Sequence, residues 1–420
     1  MRLYLLLFLL AFYLQQNHVC AFQSGQVLSV TPRNDRQTEV MKNLTAMFEV
    51  VLWQPDAPEN IVQSSEVHFY INESDIENVK AMLNESLIRY RVLVDDVKNL
   101  IEKQTFNDTV NARSSPTYYE QYHPLEEIYS WMEQVVQRHS DLLEQVYIGS
   151  SFEKRPLYVL KLSGKEKSAK GAIWIDCGIH AREWVSPAFC MWFIGHATEF
   201  YNIDSRMTNL LKYLDFYVMP VMNVDGYEYT WTTNRMWRKN RSKYSNSACI
   251  GTDLNRNFDA GWCGTGASSN PCHDTYCGPY PGSEPEVEAV IKFLNLKKEA
   301  IKGYISMHSY SQMILFPYSY TKEKSKDHDE LLQIANKVAD AIKSSYRNKY
   351  VYGPGAQTIY LAPGGSDDWA YDFGIKYSFT IELRDKGTYG FLLPPQLIKA
   401  TCSEGLTAVK TIATHIARKL

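Results

Sequence analysis

A histidine and a glutamate three positions apart, His180 and Glu183, form the pattern in this sequence that is best suited to chemistry. They stand in the stretch GIHAREW, directly after the apolar run of residues 172–177 (AIWIDC). A tight turn can bring such a pair onto one metal ion, and zinc takes nitrogen and oxygen ligands readily. The apolar run predicts a buried strand, which places the pair on a strand-end loop, where catalytic side chains tend to lie. The spacing alone is weak evidence, because it arises often by chance.

Other polar side chains in the second half of the sequence could complete such a site. His308 follows the strand-like GYISM and is a possible third ligand, although a single histidine there is more often packed or exposed. Glu382 lies within the apolar stretch FTIEL, and a carboxylate buried without a partner is costly, so it predicts a function or a salt bridge. Arg238 (in NRMWRKNR) and Arg256 (in TDLNRN) could bind carboxylates or stabilise an oxyanion, or could be ordinary surface arginines.

The elements that must position these residues are apolar strands separated by helices. An amphipathic helix begins the region, with apolar residues at Leu125, Ile128, Met132, Val135 and Val136. Strand-like runs follow at residues 157–162, 172–177, 216–221, 304–307 and 378–383, and a helix is expected over 395–419. Such alternation predicts an α/β sandwich around a largely buried sheet.

A smaller α+β unit precedes this region. Residues 49–53, 66–71 and 89–94 predict strands, and helices are expected from a capping box at Ser74 and Glu77 and around Val97 to Ile101. The polar stretch 104–116 then contains a single basic residue, Arg113. Exposed linkers are preferred sites of proteolytic nicking, so this stretch is either a processing site or an ordinary interdomain linker.

The start of the chain predicts secretion. Residues 1–21 combine an arginine, an apolar run too short to span a bilayer and small residues at a cleavage point, as in a signal peptide. No later segment is apolar enough to span a membrane. Five sequons predict a glycoprotein, at Asn43, Asn72, Asn84, Asn107 and Asn240. The 44 basic and 47 acidic residues are nearly balanced, which disfavours nucleic-acid binding.

Cysteine content agrees with an extracellular protein. Of the eight cysteines, Cys20 belongs to the predicted signal peptide, six lie between residues 177 and 277, and Cys402 stands alone. Six cysteines in a secreted chain predict three disulfides, but their spacing does not choose among 15 pairings. Cys402 is expected to be a buried, inert thiol.

Six motifs in order resemble the secreted zinc carboxypeptidases of the A/B family: HAREW, NRMWRKNR, DLNRNFD, MHSYSQ, IYLAPGGSDDW and FTIELRD. The match covers residues 114–420, and residues 22–113 are similar to the family's activation segment. The resemblance implies an α/β/α sandwich around a mixed, largely buried sheet, preceded by a small α+β open-sandwich activation domain. It also implies one Zn²⁺ per chain.

The resemblance assigns catalytic roles by position. The zinc ligands would be His180, Glu183 and His308. Asp253 would orient His180, Glu382 would be the general base, and Arg238 would stabilise the oxyanion. The B-type arrangement implies disulfides Cys177–Cys190, Cys249–Cys272 and Cys263–Cys277.

The resemblance also implies how substrate is held. The free C-terminal carboxylate would be bound by Asn255, Arg256 and Tyr360. Asp367, before Asp-Trp in GGSDDW, would lie at the base of the side-chain pocket and select a C-terminal Lys or Arg; otherwise it is an ordinary turn acid. Nearby subsites would be lined by Arg182, Ser309, Tyr310 and Phe391.

The stretch FQSGQVL at the start of the mature chain, the sequons of the activation segment, and the later stretches YYEQYHPLEEIYSWM and KYSFTIELRD resemble B-type members of the family that circulate in plasma. This implies a zymogen cut between Arg113 and Ser114 by a trypsin-like protease, either thrombin with thrombomodulin or plasmin. Substrates would be the C-terminal lysines of partly degraded fibrin and Arg-ending peptides. The alternatives are a digestive B-type enzyme, which is not expected to carry so many sequons in its activation segment, and a non-catalytic binding glycoprotein. The latter would be expected to lack a ligand or the base, all of which are present here.

Overall fold

The structure of the chain, a computed structural model, describes residues 24–105, 118–166 and 168–420. The predicted signal peptide, the sequon at Asn107 and the cleavage point between Arg113 and Ser114 lie outside the described residues. The domain limits drawn at these places therefore stay predictions.

The N-terminal unit is a four-stranded antiparallel sheet in the order β2-β3-β1-β4, with three helices in the described part. Its strands are β1 Gly25–Val30, β2 Val50–Gln54, β3 Val67–Asn72 and β4 Tyr90–Val94. Its helices are α1 Asp35–Met47, α2 Ile76–Glu85 and α3 Val97–Thr105.

The two faces of this sheet have different partners, as side-chain alternation along a strand requires. Leu28 and Phe69 belong to the apolar core that the sheet forms with α1 and α2. Their neighbours Val27 and Tyr70 point the other way and join a second cluster that includes Tyr310, far along the chain. The sheet is thus covered by α1 and α2 on one face, and by α3 together with the second unit on the other.

Two features of the N-terminal unit differ from expectation. Strand β1 and helix α1 were not predicted. The prediction of a capping box is wrong. Helix α2 begins at Ile76, and the side chain at its N-cap position makes no hydrogen bond with the first turn. A 3₁₀ turn at Glu73–Asp75 leads straight into α2, so the backbone is already helical before Ser74 could cap it. The side chain of Asn72 caps that turn instead, by accepting from the backbone N–H of Glu73 at 2.9 Å.

The second unit contains a mixed eight-stranded sheet in the order β11-β10-β12-β9-β7-β8-β6-β5. Its strands are β5 Leu143–Ser150, β6 Pro156–Leu162, β7 Gly171–Cys177, β8 Leu214–Met219, β9 Ile301–Ser309, β10 Met313–Phe316, β11 Val351–Pro354 and β12 Tyr377–Leu383. Its helices are α4 Leu125–Arg138, α5 Val185–Glu199, α6 Ser205–Leu210, α7 Val224–Thr232, α8 Pro285–Leu296, α9 His328–Tyr346, α10 Gly355–Thr358, α11 Ser366–Asp372 and α12 Ile398–Ala417.

Helices cover both faces of this sheet, which confirms the predicted α/β/α sandwich. On one face, Trp174 of β7 packs against Phe293 of α8, with ring centroids 5.7 Å apart. On the other, α12 comes so near β9 that a Cβ on Gly303 would lie 2.6 Å from Ile416, which explains the glycine. All five strands expected from apolar runs are present, although β8 lies two residues earlier than predicted.

The central strands deliver the candidate catalytic residues to one edge of the sheet. Strands β7, β9 and β12 are neighbours and run parallel, so their carboxyl ends meet at that edge. In the β9–β12 register, Glu382 lies opposite His308. His180 and Glu183 follow β7 directly, and the loop they occupy therefore begins beside both of these strand ends.

The disulfides have the predicted B-type pairing: Cys177–Cys190, Cys249–Cys272 and Cys263–Cys277. The first ties β7 to α5, and the other two close the loops between α7 and α8. Cys402 is buried and unpaired, as expected. Among the described residues, no helix combines the length and apolar character needed to cross a membrane.

The prediction of a glycan at Asn240 is wrong for the folded chain. Asn240 is fully buried, and its amide nitrogen, the atom that would carry the sugar, donates to Glu284 and Glu286 at 2.7 and 3.1 Å. A sequon is a local pattern and carries no information on this burial. Asn43 and Asn84 are exposed and Asn72 partly so, and glycosylation at these three stays a prediction.

Candidate active site

Three buried side chains form a cluster able to hold a metal ion: His180, Glu183 and His308. One ligand atom from each lies within 4.8 Å of the others. Nδ1 of His180 is 2.7 Å from one Glu183 oxygen, and Nδ1 of His308 is 3.2 Å from the other. Two imidazoles and one carboxylate that leave a coordination position open are the donor set of a catalytic zinc site, so the residues fit the metal.

Charge within the cluster supports this assignment. Burial raises the pKa of Glu183, but His180 and His308 outweigh it and hold that pKa well below its ordinary value. Burial lowers the pKa of His308, but the Glu183 carboxylate opposes it and raises the pKa to about 9. The site thus concentrates an ionised carboxylate and favours cations.

Asp253 and Arg238 adjoin the cluster. Oδ1 of Asp253 lies 3.2 Å from Nε2 of His180, so the carboxylate lies on the side of that ring away from Glu183. Its other oxygen accepts from Nε of Arg238 at 2.9 Å. Burial raises the pKa of Asp253, but Arg238 and His180 lower it well below its ordinary value. Asp253 is therefore ionised and links the candidate ligand to the candidate oxyanion donor.

Glu382 lines the same cleft as the metal cluster. Burial raises its pKa to about 8, while the nearby His308 lowers it. A divalent cation beside it would further favour the ionised form. A carboxylate so placed can take a proton from water and hold it.

The side chains expected to bind a terminal carboxylate belong to the same cleft. Asn255, Arg256 and Tyr360 all line it, as does Arg238. The buried Arg256 is fixed by backbone carbonyls, with Nη1 2.8 Å from the oxygen of Asn255 and Nε 3.3 Å from that of Gly266. The remaining nitrogen, Nη2, donates to a carboxylate oxygen of Asp56 in the activation segment.

Comparisons with known proteins agree with this geometry. A family model described as zinc carboxypeptidase matches residues 128–408. The chain belongs to the zinc carboxypeptidase family. A model described as carboxypeptidase activation peptide also matches residues 28–104, so this zinc carboxypeptidase is a zymogen with an activation segment.

Relatives of this carboxypeptidase match it over nearly its full length. Carboxypeptidase B2 of Homo sapiens is 62% identical over 407 residues, 96% of each chain. Carboxypeptidase B of Homo sapiens is 45% identical over 399 residues, 95% of each chain. A crystal structure of thrombin activatable fibrinolysis inhibitor is 59% identical with a TM-score of 0.93, and covers 95% of this chain and 100% of that one. The resemblance seen in the sequence is confirmed.

In this carboxypeptidase, Asp367 lines the same cleft as the metal cluster. It is 3% exposed, and its Oδ2 atom has no hydrogen-bond partner among the described residues. Burial raises the pKa of Asp367, and a hydrogen bond with Thr380 opposes this. A buried carboxylate oxygen without a partner is costly, and a cation that entered the cleft would relieve that cost.

The predicted subsite residues are not all equally placed. Ser309, Tyr310 and Phe391 line the cleft. Arg182 is fully buried and instead donates to the backbone oxygen of Leu52 in the activation segment at 3.0 Å. It also stacks over the ring of Phe391 at 4.6 Å. In the zymogen, therefore, Arg182 serves the contact between the two units.

A functional residue that sequence reasoning missed is Asp56. It stands after β2, in the loop QPDAPEN, and reaches into the cleft, where its Oδ2 atom bonds both Arg238, at 3.2 Å, and Arg256. Asp56 thus occupies both guanidinium groups, the one expected to stabilise the oxyanion and the one expected to bind the terminal carboxylate. The only signal in the sequence is an acid between two prolines, and its partners lie 182 and 200 residues away.

Proposed function

We propose that this chain is the zymogen of a zinc carboxypeptidase that removes C-terminal Lys or Arg from peptides and proteins. The observation that carries the proposal is a pair of opposite charges in one cleft. Asp367 presents an unpartnered, buried carboxylate oxygen, and Arg256 presents a guanidinium group. A basic residue at the end of a peptide has the complementary pair, a cationic side chain and a free carboxylate.

One zinc ion per chain would be held by His180, Glu183 and His308. When bound, it would supply Lewis acidity, by lowering the pKa of a water molecule to about 7 and polarising the scissile carbonyl. Orientation comes from the protein. Asp253, whose carboxylate lies 3.2 Å from Nε2 of His180, would orient that ring, and partners of this kind tune metal sites strongly.

The remaining steps belong to the side chains. Asn255, Arg256 and Tyr360 would hold the terminal carboxylate and so limit cleavage to the last peptide bond. Glu382 would take a proton from the attacking water as the carbon–oxygen bond forms. Arg238 would donate to the developing oxyanion. Glu382 would then give the same proton to the leaving amine as the carbon–nitrogen bond breaks, which returns the carboxylate to its starting state.

Activation would follow from cleavage between Arg113 and Ser114. Release of residues 22–113 would withdraw Asp56 and leave Arg238 and Arg256 free for a substrate. It would also remove the contact between Leu52 and Arg182. The position of Asp56 in the cleft supports this order of events, because Arg238 and Arg256 cannot bond the activation segment while they bind the oxyanion and the terminal carboxylate of a substrate.

The physiological setting that we propose is blood plasma. The chain would be secreted with glycans at Asn43, Asn72, Asn84 and Asn107, and activated by thrombin with thrombomodulin or by plasmin. It would then remove C-terminal lysines from partly degraded fibrin, slow fibrinolysis and inactivate Arg-ending peptides. Similarity to Carboxypeptidase B2 and to thrombin activatable fibrinolysis inhibitor supports this setting. A mass loss on glycosidase treatment tests the glycans.

The test of the activity uses paired peptides that end in Arg, Lys, Phe or Leu, before and after trypsin-like cleavage, with and without a chelator. We expect release of Arg and Lys alone, after a cut at Arg113, and its loss with chelator. Release of Phe or Leu would refute the role of Asp367. A cleaved, zinc-loaded chain that releases nothing would refute the enzyme.

A further inference from the structure

The two histidines of the candidate zinc site are held in different ways on the side away from Glu183. Nε2 of His180 lies 3.2 Å from a carboxylate oxygen of Asp253. Nε2 of His308 lies 3.0 Å from the hydroxyl oxygen of Ser306. A hydroxyl can either donate or accept, so this contact alone does not fix where the proton of His308 lies.

A second contact of Ser306 determines which partner donates in the hydrogen bond between Ser306 and His308. Its hydroxyl donates to Oδ1 of Asp176 at 2.6 Å. Because a serine hydroxyl has one proton, an oxygen that donates to Asp176 can only accept from His308. When the ring carries a single proton, as a metal ligand does, that proton lies on Nε2 and the lone pair lies on Nδ1, the nitrogen that faces Glu183.

Asp176 is built to remain an acceptor. It is fully buried, and its second oxygen accepts from the indole nitrogen of Trp174 at 2.8 Å, a group that can only donate. Burial raises the pKa of Asp176 above its ordinary value, and the hydrogen bonds from Ser306 and Trp174 oppose part of that rise. Donors at both oxygens match an ionised carboxylate.

The backbone fixes the spacing of this network. Asp176 on β7 and Ser306 on β9 are direct neighbours in the parallel register. Ser306 and His308 stand two residues apart on one strand, as do Trp174 and Asp176, and therefore share a face of the sheet. The spacing between these side chains can therefore change little unless the strand pairing changes.

We propose that Asp176 and Ser306 act as a positioning relay for His308. The buried carboxylate orients the serine hydroxyl, and the hydroxyl holds the imidazole in the Nε2–H tautomer, which leaves Nδ1 as a zinc ligand. Neither residue touches the metal or the substrate. The relay orients the ring of His308 through a serine, whereas the carboxylate of Asp253 lies directly beside the ring of His180. It rests on the zinc site of the proposed function.

The experiment measures zinc affinity of the full-length chain by competition with a chelating indicator, together with the visible spectrum of the cobalt(II)-loaded chain. Loss of such partners weakens metal binding by about 10–100-fold, and we expect this of Ser306→Ala, with a shifted cobalt spectrum. Ser306→Thr keeps the hydroxyl and should restore both. Thr401→Val is the matched control, because it removes a buried hydroxyl that bonds only its own helix.

Asp176→Asn provides a second variant should Ser306→Ala not fold. An amide would turn its oxygen toward Trp174 and its N–H toward Ser306, so that the serine proton would point at His308 and favour the wrong tautomer. Zinc affinity should again fall at least about tenfold. Unchanged affinity and spectrum in a folded variant, while His308→Ala abolishes binding, would overturn the relay alone. Normal zinc binding by His308→Ala would overturn the zinc site and the relay together.

Discussion

Replacement of Asp56 by asparagine tests how the activation segment closes the cleft. Asp56, Arg238 and Arg256 are at most 5% exposed, and one carboxylate oxygen serves both guanidinium groups. Asp56→Asn keeps the shape of the side chain and removes its charge. The two arginines are then left buried without a counter-ion from the segment, although Asp253 still neutralises Arg238.

The size of the effect follows from the burial. Removal of one partner from a buried ion pair costs about 3–5 kcal/mol, and 1.4 kcal/mol corresponds to a factor of ten. The amide oxygen of asparagine still accepts a hydrogen bond, which favours the lower end of that range. The equilibrium between closed and open cleft should therefore shift toward the open form by about 100-fold.

The assay is hydrolysis of a small Arg-ending peptide by the uncleaved chain, with Arg113→Gln in every variant to prevent activation. Asp56→Asn should raise kcat/KM by about 100-fold over this background, up to the limit set by the cleaved enzyme. Glu59→Gln is the matched control, since it removes an exposed charge from the same loop and should change nothing. If Asp56→Asn, folded and zinc-loaded, also left kcat/KM unchanged, the apolar contacts of the segment would be shown to close the cleft without the ion pairs.

Three other predictions concern the catalytic unit. Glu382→Gln should keep zinc, measured by metal analysis, yet lower kcat by at least about 100-fold; normal turnover would remove it as the base. Asp367→Ile should lower kcat/KM for Arg-ending peptides by roughly 10–100-fold and raise it for apolar ends, whereas an unchanged preference would refute the pocket. Glu404→Ala should destabilise the fold by about 3–5 kcal/mol, because the buried Glu404 is the counter-ion of Arg384. Lys399→Ala, which breaks an exposed pair, should cost under about 1 kcal/mol, and equal losses in thermal unfolding would contradict the argument.

The sequence predicted the centre of the fold better than its edges. Strands β7, β9 and β12 are almost wholly buried, and each contains an apolar stretch that the sequence pattern could identify. Edge strand β5 (LEQVYIGS) is only partly buried and mixes polar and apolar residues, so it gave no such signal. In the N-terminal unit, β1 (GQVLSV) mixes apolar residues with glycine, glutamine and serine, and α1 is the least apolar of the helices there.

The candidate site could be predicted only where one motif contains it. HAREW and FTIELRD are local, and the structure brings Glu183 and Glu382 into the cleft that the resemblance implied. Asp56 could not be found in this way, because its role depends on how two units pack. The prediction of a glycan at Asn240 was wrong for the same reason, because the burial of this residue arises from segments far along the chain.

The direct opposition of Glu382 and His308 on adjacent parallel strands has a consequence for how this enzyme tolerates change. The spacing between them is set by main-chain pairing, so substitutions elsewhere on β9 and β12 can accumulate without moving it. An insertion or deletion of one residue within β12 is different, because it would turn Glu382 to the opposite face of the sheet. Length variation should therefore be confined to loops, while these two strands keep a fixed residue count.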